Sequence, residues 1–183
     1  MRFSKLVIPV VLCVLLVGFA APAQQKKGYA KKPAKPLPVV SPIDTDALKG
    51  LISQQRGRPL LVNFWATFCD PCRDEFPDLV KIDKDYRPQS LDFVTVSLDD
   101  IDQIKTDVPK FLNDMNATMP AYLLNVSDPE PAINFIDKRW RGDLPATYLY
   151  NEKGEMVYWH IGRVNPAELR AAIDKAVKKD DGR

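Results

Sequence analysis

Cys69-Asp70-Pro71-Cys72 follows directly on the apolar run Leu60-Leu61-Val62-Asn63-Phe64-Trp65-Ala66. Two thiols at that spacing can close a small ring. A strand that runs into such a pair and then into a helix suits the making and breaking of disulfides. The first cysteine then sits at a helix N-terminus, where unpaired N–H groups favour a thiolate. The thiolate is the species that attacks a disulfide, so this placement sets reactivity. Zinc is the competing use of the pair, and it would need two more Cys or His ligands. His160 is the only histidine of the chain, and Cys13, the remaining cysteine, lies in an apolar N-terminal stretch. No metal site is therefore expected.

The elements that position this pair occupy the middle and end of a 183-residue chain, 45% hydrophobic with 8 Gly and 16 Pro. That size suits one globular domain with flanking segments. Residues 1–23 read as a signal peptide. Arg2 and Lys5 make a basic start, Leu6 to Ala20 is apolar apart from Pro9, and Ala21-Pro22-Ala23 fits small-residue cleavage before Gln24. A membrane anchor is the alternative, though the apolar run falls short of the ~20 residues of a spanning helix. Cys13 belongs to this segment and not to the site. Cleavage leaves Cys69 and Cys72 as the only possible intramolecular disulfide. The domain is thus expected outside the cytoplasm, periplasmic or secreted, or tethered by the anchor.

Residues 24–40 hold five lysines and no acid, with Pro33, Pro36 and Pro38 among them, and read as an extended linker. Setting these five aside with Arg2 and Lys5 leaves 19 of the 26 bases against 24 acids, a net of −5 over residues 41–183. A mildly acidic domain argues against nucleic-acid binding.

Within 41–183 the pattern predicts a helix from about Thr45 to Gln55, ended by Gly57, and a doubly covered strand over Pro59 to Trp65. A helix over Asp70 to Tyr86 follows, with a kink expected at Pro77. Leu91 to Leu98 reads as a strand, and Asp99 to Asn116 as a helical region with its start limited by Pro109. A short strand at Ala121 to Asn125 leads to a helix opening at Asp128-Pro129-Glu130-Pro131. Strands Ala146 to Tyr150 and Glu155 to Ile161 flank a hairpin turn at Asn151-Glu152-Lys153-Gly154. Asn165-Pro166-Ala167-Glu168 opens a last helix, with an N-cap, Pro at the first position and an acid at the third. Alternating strands and helices imply a parallel core, to which the late hairpin adds antiparallel strands.

This arrangement resembles the thioredoxin fold, and within it the extracytoplasmic thiol-disulfide oxidoreductases of the TlpA and ResA type. The resemblance rests on Val62 to Pro77, Leu144 to Tyr150 and Asn151 to Glu155, and spans roughly Ser41 to Lys179. It implies an α/β fold: a central mixed sheet flanked by helices, with a helical and short-strand insertion before a cis-proline strand. Two positions depart from thioredoxins proper. Asn63 stands where they carry a buried aspartate, as is usual for the extracytoplasmic branch. Phe68 stands where a tryptophan normally precedes the first cysteine, so an aromatic wall is kept without its indole donor.

The resemblance assigns roles. Cys69 is the exposed nucleophile, Cys72 resolves the mixed disulfide, and the two form the redox disulfide. Glu75 serves Cys72 as a base, its ordinary alternative being a solvated acid at a helix start. Asp70 has the same alternative. Pro145 forms the cis bond facing the pair, and Leu144 offers backbone groups to an extended substrate segment. Trp65, Trp140 and Trp159 read as packing residues. The expected function is thiol-disulfide exchange, as a reductant of protein disulfides such as the cysteines of apocytochrome c or of copper sites. No cofactor is implied. The expected partners are a substrate protein and an electron-donor protein, membrane-bound in one arrangement. The rivals are a disulfide-forming oxidant and a Cu(I)-handling protein, with Met115 and Met119 as additional soft ligands. A peroxidase is disfavoured, because Thr67 stands two residues before Cys69 where such enzymes use an offset of three.

Overall fold

The computed structural model describes residues 36–54 and 57–178. The expected signal segment (1–23), most of the expected Lys/Pro-rich linker, Gln55, Arg56 and Lys179 onward lie outside the described residues. A six-stranded sheet forms the centre, in the order β1 (Val40–Ile43), β4 (Ala121–Leu124), β3 (Asp92–Ser97), β2 (Leu60–Trp65), β5 (Ala146–Tyr150), β6 (Met156–Ile161). The pairs β1–β4, β4–β3 and β3–β2 are parallel, and β5 runs antiparallel to both β2 and β6. This is the mixed sheet of a thioredoxin fold.

Helices cover both faces. Helices α2 (Asp70–Tyr86), α3 (Asp107–Asp114) and α5 (Pro166–Val177) lie on one. On the other are α1 (Thr45–Ser53) and α4 (Glu130–Ile136). Every residue of β2 is buried, which explains its continuous apolar run. Leu61 and Trp65 face α2, whereas Leu60, Val62 and Phe64 face α1 and α4. The period of two thus places Asn63 beneath α2. Trp65, Phe76 and Phe111 interlock with ring centroids 4.4–5.0 Å apart, an aromatic floor under the turn that carries the cysteines.

Local signals set most boundaries. The Asp44 side chain caps α1 by accepting from Ala47 N at 2.8 Å. Asn165 caps α5 by accepting from Ala167 N at 2.9 Å, with Pro166 first in the helix. The hairpin turn closes with Gly154 at φ +82° and Asn151 Oδ1 accepting from the backbone of Lys153 and Glu155.

The structure differs from the sequence expectations in three places. Val40 begins a strand instead of ending a linker. The strand was hidden because it is short, holds Pro42, and takes its partner from β4 far along the chain; proline is tolerated there because β1 is an edge. The expected helical region 99–116 splits into a 3₁₀ turn, Ile101–Gln103, and α3. Pro109 is buried within α3, in its first turn, where a missing N–H costs nothing. Trp140 is buried, but Trp159 is 42% exposed on edge strand β6, with the Arg139 guanidinium 4.1 Å from its ring centre.

Candidate active site

Cys69 ends the β2–α2 connection and is the N-cap of α2. Cys69 and Cys72 are joined in a disulfide, and Cys69 Sγ accepts from the Cys72 amide at 3.2 Å. Cys72 is fully buried, and Cys69 is only 8% exposed. Cys69 is therefore less open than the sequence suggested. It is the more accessible of the two, and it opens on a cleft of about 860 Å³ that Leu144 also lines. The Leu144–Pro145 bond is cis, with Leu144 half-buried and Pro145 buried. Asp70 and Phe68 are exposed, Phe68 to 74%.

Glu75 overturns its alternative as a solvated acid: it is 1% exposed. One carboxylate oxygen accepts from Asn63 Nδ2 at 2.9 Å, the other from the Val164 amide at 3.0 Å. Burial pushes its pKa from the ordinary 4.5 to about 7, against the opposing pull of these two donors and of Arg163. A carboxyl held there exchanges protons at neutral pH. Asn63 Nδ2 also donates to Thr147 Oγ1 at 3.0 Å. Register places Thr95, Asn63, Thr147 and His160 side by side across four strands. A polar row therefore crosses the sheet beneath α2. Asn63 Oδ1 is buried without a partner among the described residues. Turning that amide over would let Oδ1 accept from protonated Glu75.

Sequence reasoning missed Asp99, just past β3. It is 4% exposed. It accepts from the Thr67 amide at 3.0 and 3.1 Å, from Thr67 Oγ1 at 2.6 Å and from Ser97 Oγ at 2.5 Å. The turn from Ala66 to Cys69 closes with Cys69 N donating to Ala66 O at 3.2 Å. Asp99 thus anchors the middle of the turn that carries Cys69. The available signal was an acid at the end of a strand parallel to and beside β2. Met119 is buried and Met115 packs against the same core, so packing accounts for both.

A family model described as AhpC/TSA matches residues 34–159. The chain belongs to the AhpC/TSA family. It is similar to the thioredoxin-like protein YneN of Bacillus subtilis, 26% identical over 168 residues that cover 90% of this chain and 94% of that one. It is 28% identical over 111 residues to the thiol-disulfide oxidoreductase ResA of Halalkalibacterium halodurans, covering 61% of this chain and 58% of that protein. The crystal structure of StoA from Bacillus subtilis superposes with a TM-score of 0.51 at 27% identity, over 63% of this chain and 82% of that one. Within the family the chain is a thioredoxin-fold oxidoreductase of the thiol-disulfide kind.

Proposed function

We propose that the protein is an extracytoplasmic reductant of protein disulfides. The observation that carries this reading is the Cys69–Cys72 disulfide at the head of α2, with the buried, proton-exchanging Glu75 one turn on. In the reduced form the Cys69 thiolate attacks one sulfur of a substrate disulfide. A mixed disulfide forms and the other substrate sulfur leaves as a thiolate. Glu75 takes the Cys72 proton, and Cys72 attacks the Cys69 sulfur. The second substrate thiolate leaves, and the pair is oxidised as the substrate gains two electrons. A donor protein with a dithiol then regenerates the pair. Leu144 aligns the substrate segment through its backbone.

Direction follows from charge. Exposed Asp70 adjoins Cys69, and a carboxylate there opposes a neighbouring thiolate. That raises the energy of the reduced form and lowers the potential, away from strong oxidants. The basic and apolar start of the chain supports export. Among the described residues no helix is long and apolar enough to cross a membrane. The reading is tested by mixing the reduced protein with a disulfide-bonded protein at equimolar amounts and counting thiols by mass. Transfer of two electrons per molecule, with Cys69–Cys72 formed, is expected; no transfer would refute it.

A further inference from the structure

The cleft beside Cys69 is walled by segments far apart in the chain. Leu98 follows β3, Leu124 ends β4, Val126 follows it, Ile133 stands on α4, and Leu144 precedes the cis-proline, with exposed Phe68 at the mouth. Its volume of about 860 Å³ is that of a ligand cleft, on the order of 300–1,000 Å³. Gly142, at φ +87°, also lines it; a Cβ there would come 3.3 Å from Ile133 Cδ1. Such a cleft gains by giving up water to an apolar side chain.

The polar rim is unbalanced. Asp70 and Asp100 are exposed and line it, and among the described residues neither makes an ion pair. Arg141 is the single cation in the lining, and Asp99 adds a third carboxylate already engaged by Thr67 and Ser97.

Resting on the reductant reading, we propose that this cleft selects substrates by the residues flanking the attacked cysteine. It takes a bulky apolar side chain next to that cysteine, and its acidic rim favours a lysine or arginine close by. Attack by Cys69 then occurs with the residues beside the attacked cysteine held in the cleft and at its rim. The electrons move as above: the Cys69–substrate bond forms, the substrate disulfide breaks, and Cys72 releases the second thiolate.

The test uses reduced protein and short peptides whose single cysteine is disulfide-linked to 2-mercaptoethanol. The neighbouring residue is Leu or Ala, and the next is Lys or Glu. We expect the Leu peptide to react at least about tenfold faster than the Ala peptide, the worth of a few methylenes in a pocket. We expect Lys over Glu by about threefold at low salt, fading at high salt as exposed charges are screened. Val126→Glu should collapse the Leu-to-Ala ratio, and Asp100→Asn, which keeps the side chain's shape, should shrink the Lys-to-Glu ratio. A Leu-to-Ala ratio under about twofold in the native protein, or one that Val126→Glu leaves intact, overturns the proposal. The native ratio decides even if the variant does not fold. Bis(2-hydroxyethyl) disulfide separates the two readings. If it is reduced while all peptides react alike, only the cleft assignment fails. If neither it nor any peptide is reduced, the oxidoreductase reading fails and the cleft assignment with it.

Discussion

Replacing Glu75 by Gln removes a buried titration while keeping the side chain's shape. The folded protein holds this carboxyl at about 7, against 4.5 in an unfolded chain. Below 4.5 both states bind the proton, and the group contributes no pH dependence. Between the two values the unfolded chain has lost the proton and the folded one keeps it, so the unfolded state binds fewer protons and stability falls as pH rises. Above about 7 both are ionised and the loss is complete. The span of about 2.5 pH units, at 1.36 kcal/mol each, corresponds to about 3 kcal/mol, an order-of-magnitude figure. Exposure of 1% means that solvent screening does not reduce it much. The substituted amide would offer one acceptor oxygen in place of two to Asn63 and Val164, at a pH-independent cost of about 1–3 kcal/mol. Urea denaturation of the oxidised native protein and of Glu75→Gln, from pH 4 to 9, isolates the titration in the difference between the curves. The variant should start less stable at pH 4 and gain on the native protein by about 3 kcal/mol by pH 8. Parallel curves would refute the buried-carboxyl argument.

Other perturbations follow from the same geometry. Cys72→Ser should accumulate substrate joined to Cys69, and Cys69→Ser should accumulate none, as read by mass spectrometry under non-reducing conditions. Asp99→Ala leaves the Thr67 amide and two hydroxyls without their acceptor; it should cost about 3 kcal/mol in urea unfolding and slow iodoacetamide labelling of Cys69 at neutral pH. Asn165→Ala removes the α5 cap and should cost about 1 kcal/mol, lowering Tm by about 2–4 °C in calorimetry.

What could be read from the sequence was local. The run into Cys69, the Pro71 start of α2, the Asn151–Gly154 turn and the Asn165-Pro166 cap each declare themselves within a few residues. The structure bears them out. What could not be read depends on distant pairing. Glu75 is spaced for duty near Cys72, but its burial comes from Asn63 in β2 and Val164 after β6. Asp99 meets Thr67 only because β3 runs parallel to β2. Strand β1 exists only where β4 completes it. The exposure of Trp159 reflects the edge position of β6, a property of strand order and not of the residue.

The direction of electron flow is read from the reduction potential of the Cys69–Cys72 pair. Exposed Asp70 beside Cys69 opposes its thiolate and so disfavours the reduced form. Equilibration against glutathione buffers, read by the masses of alkylated protein, should give a potential below about −200 mV. A value near −120 mV would contradict the account and make the protein a disulfide-forming oxidant.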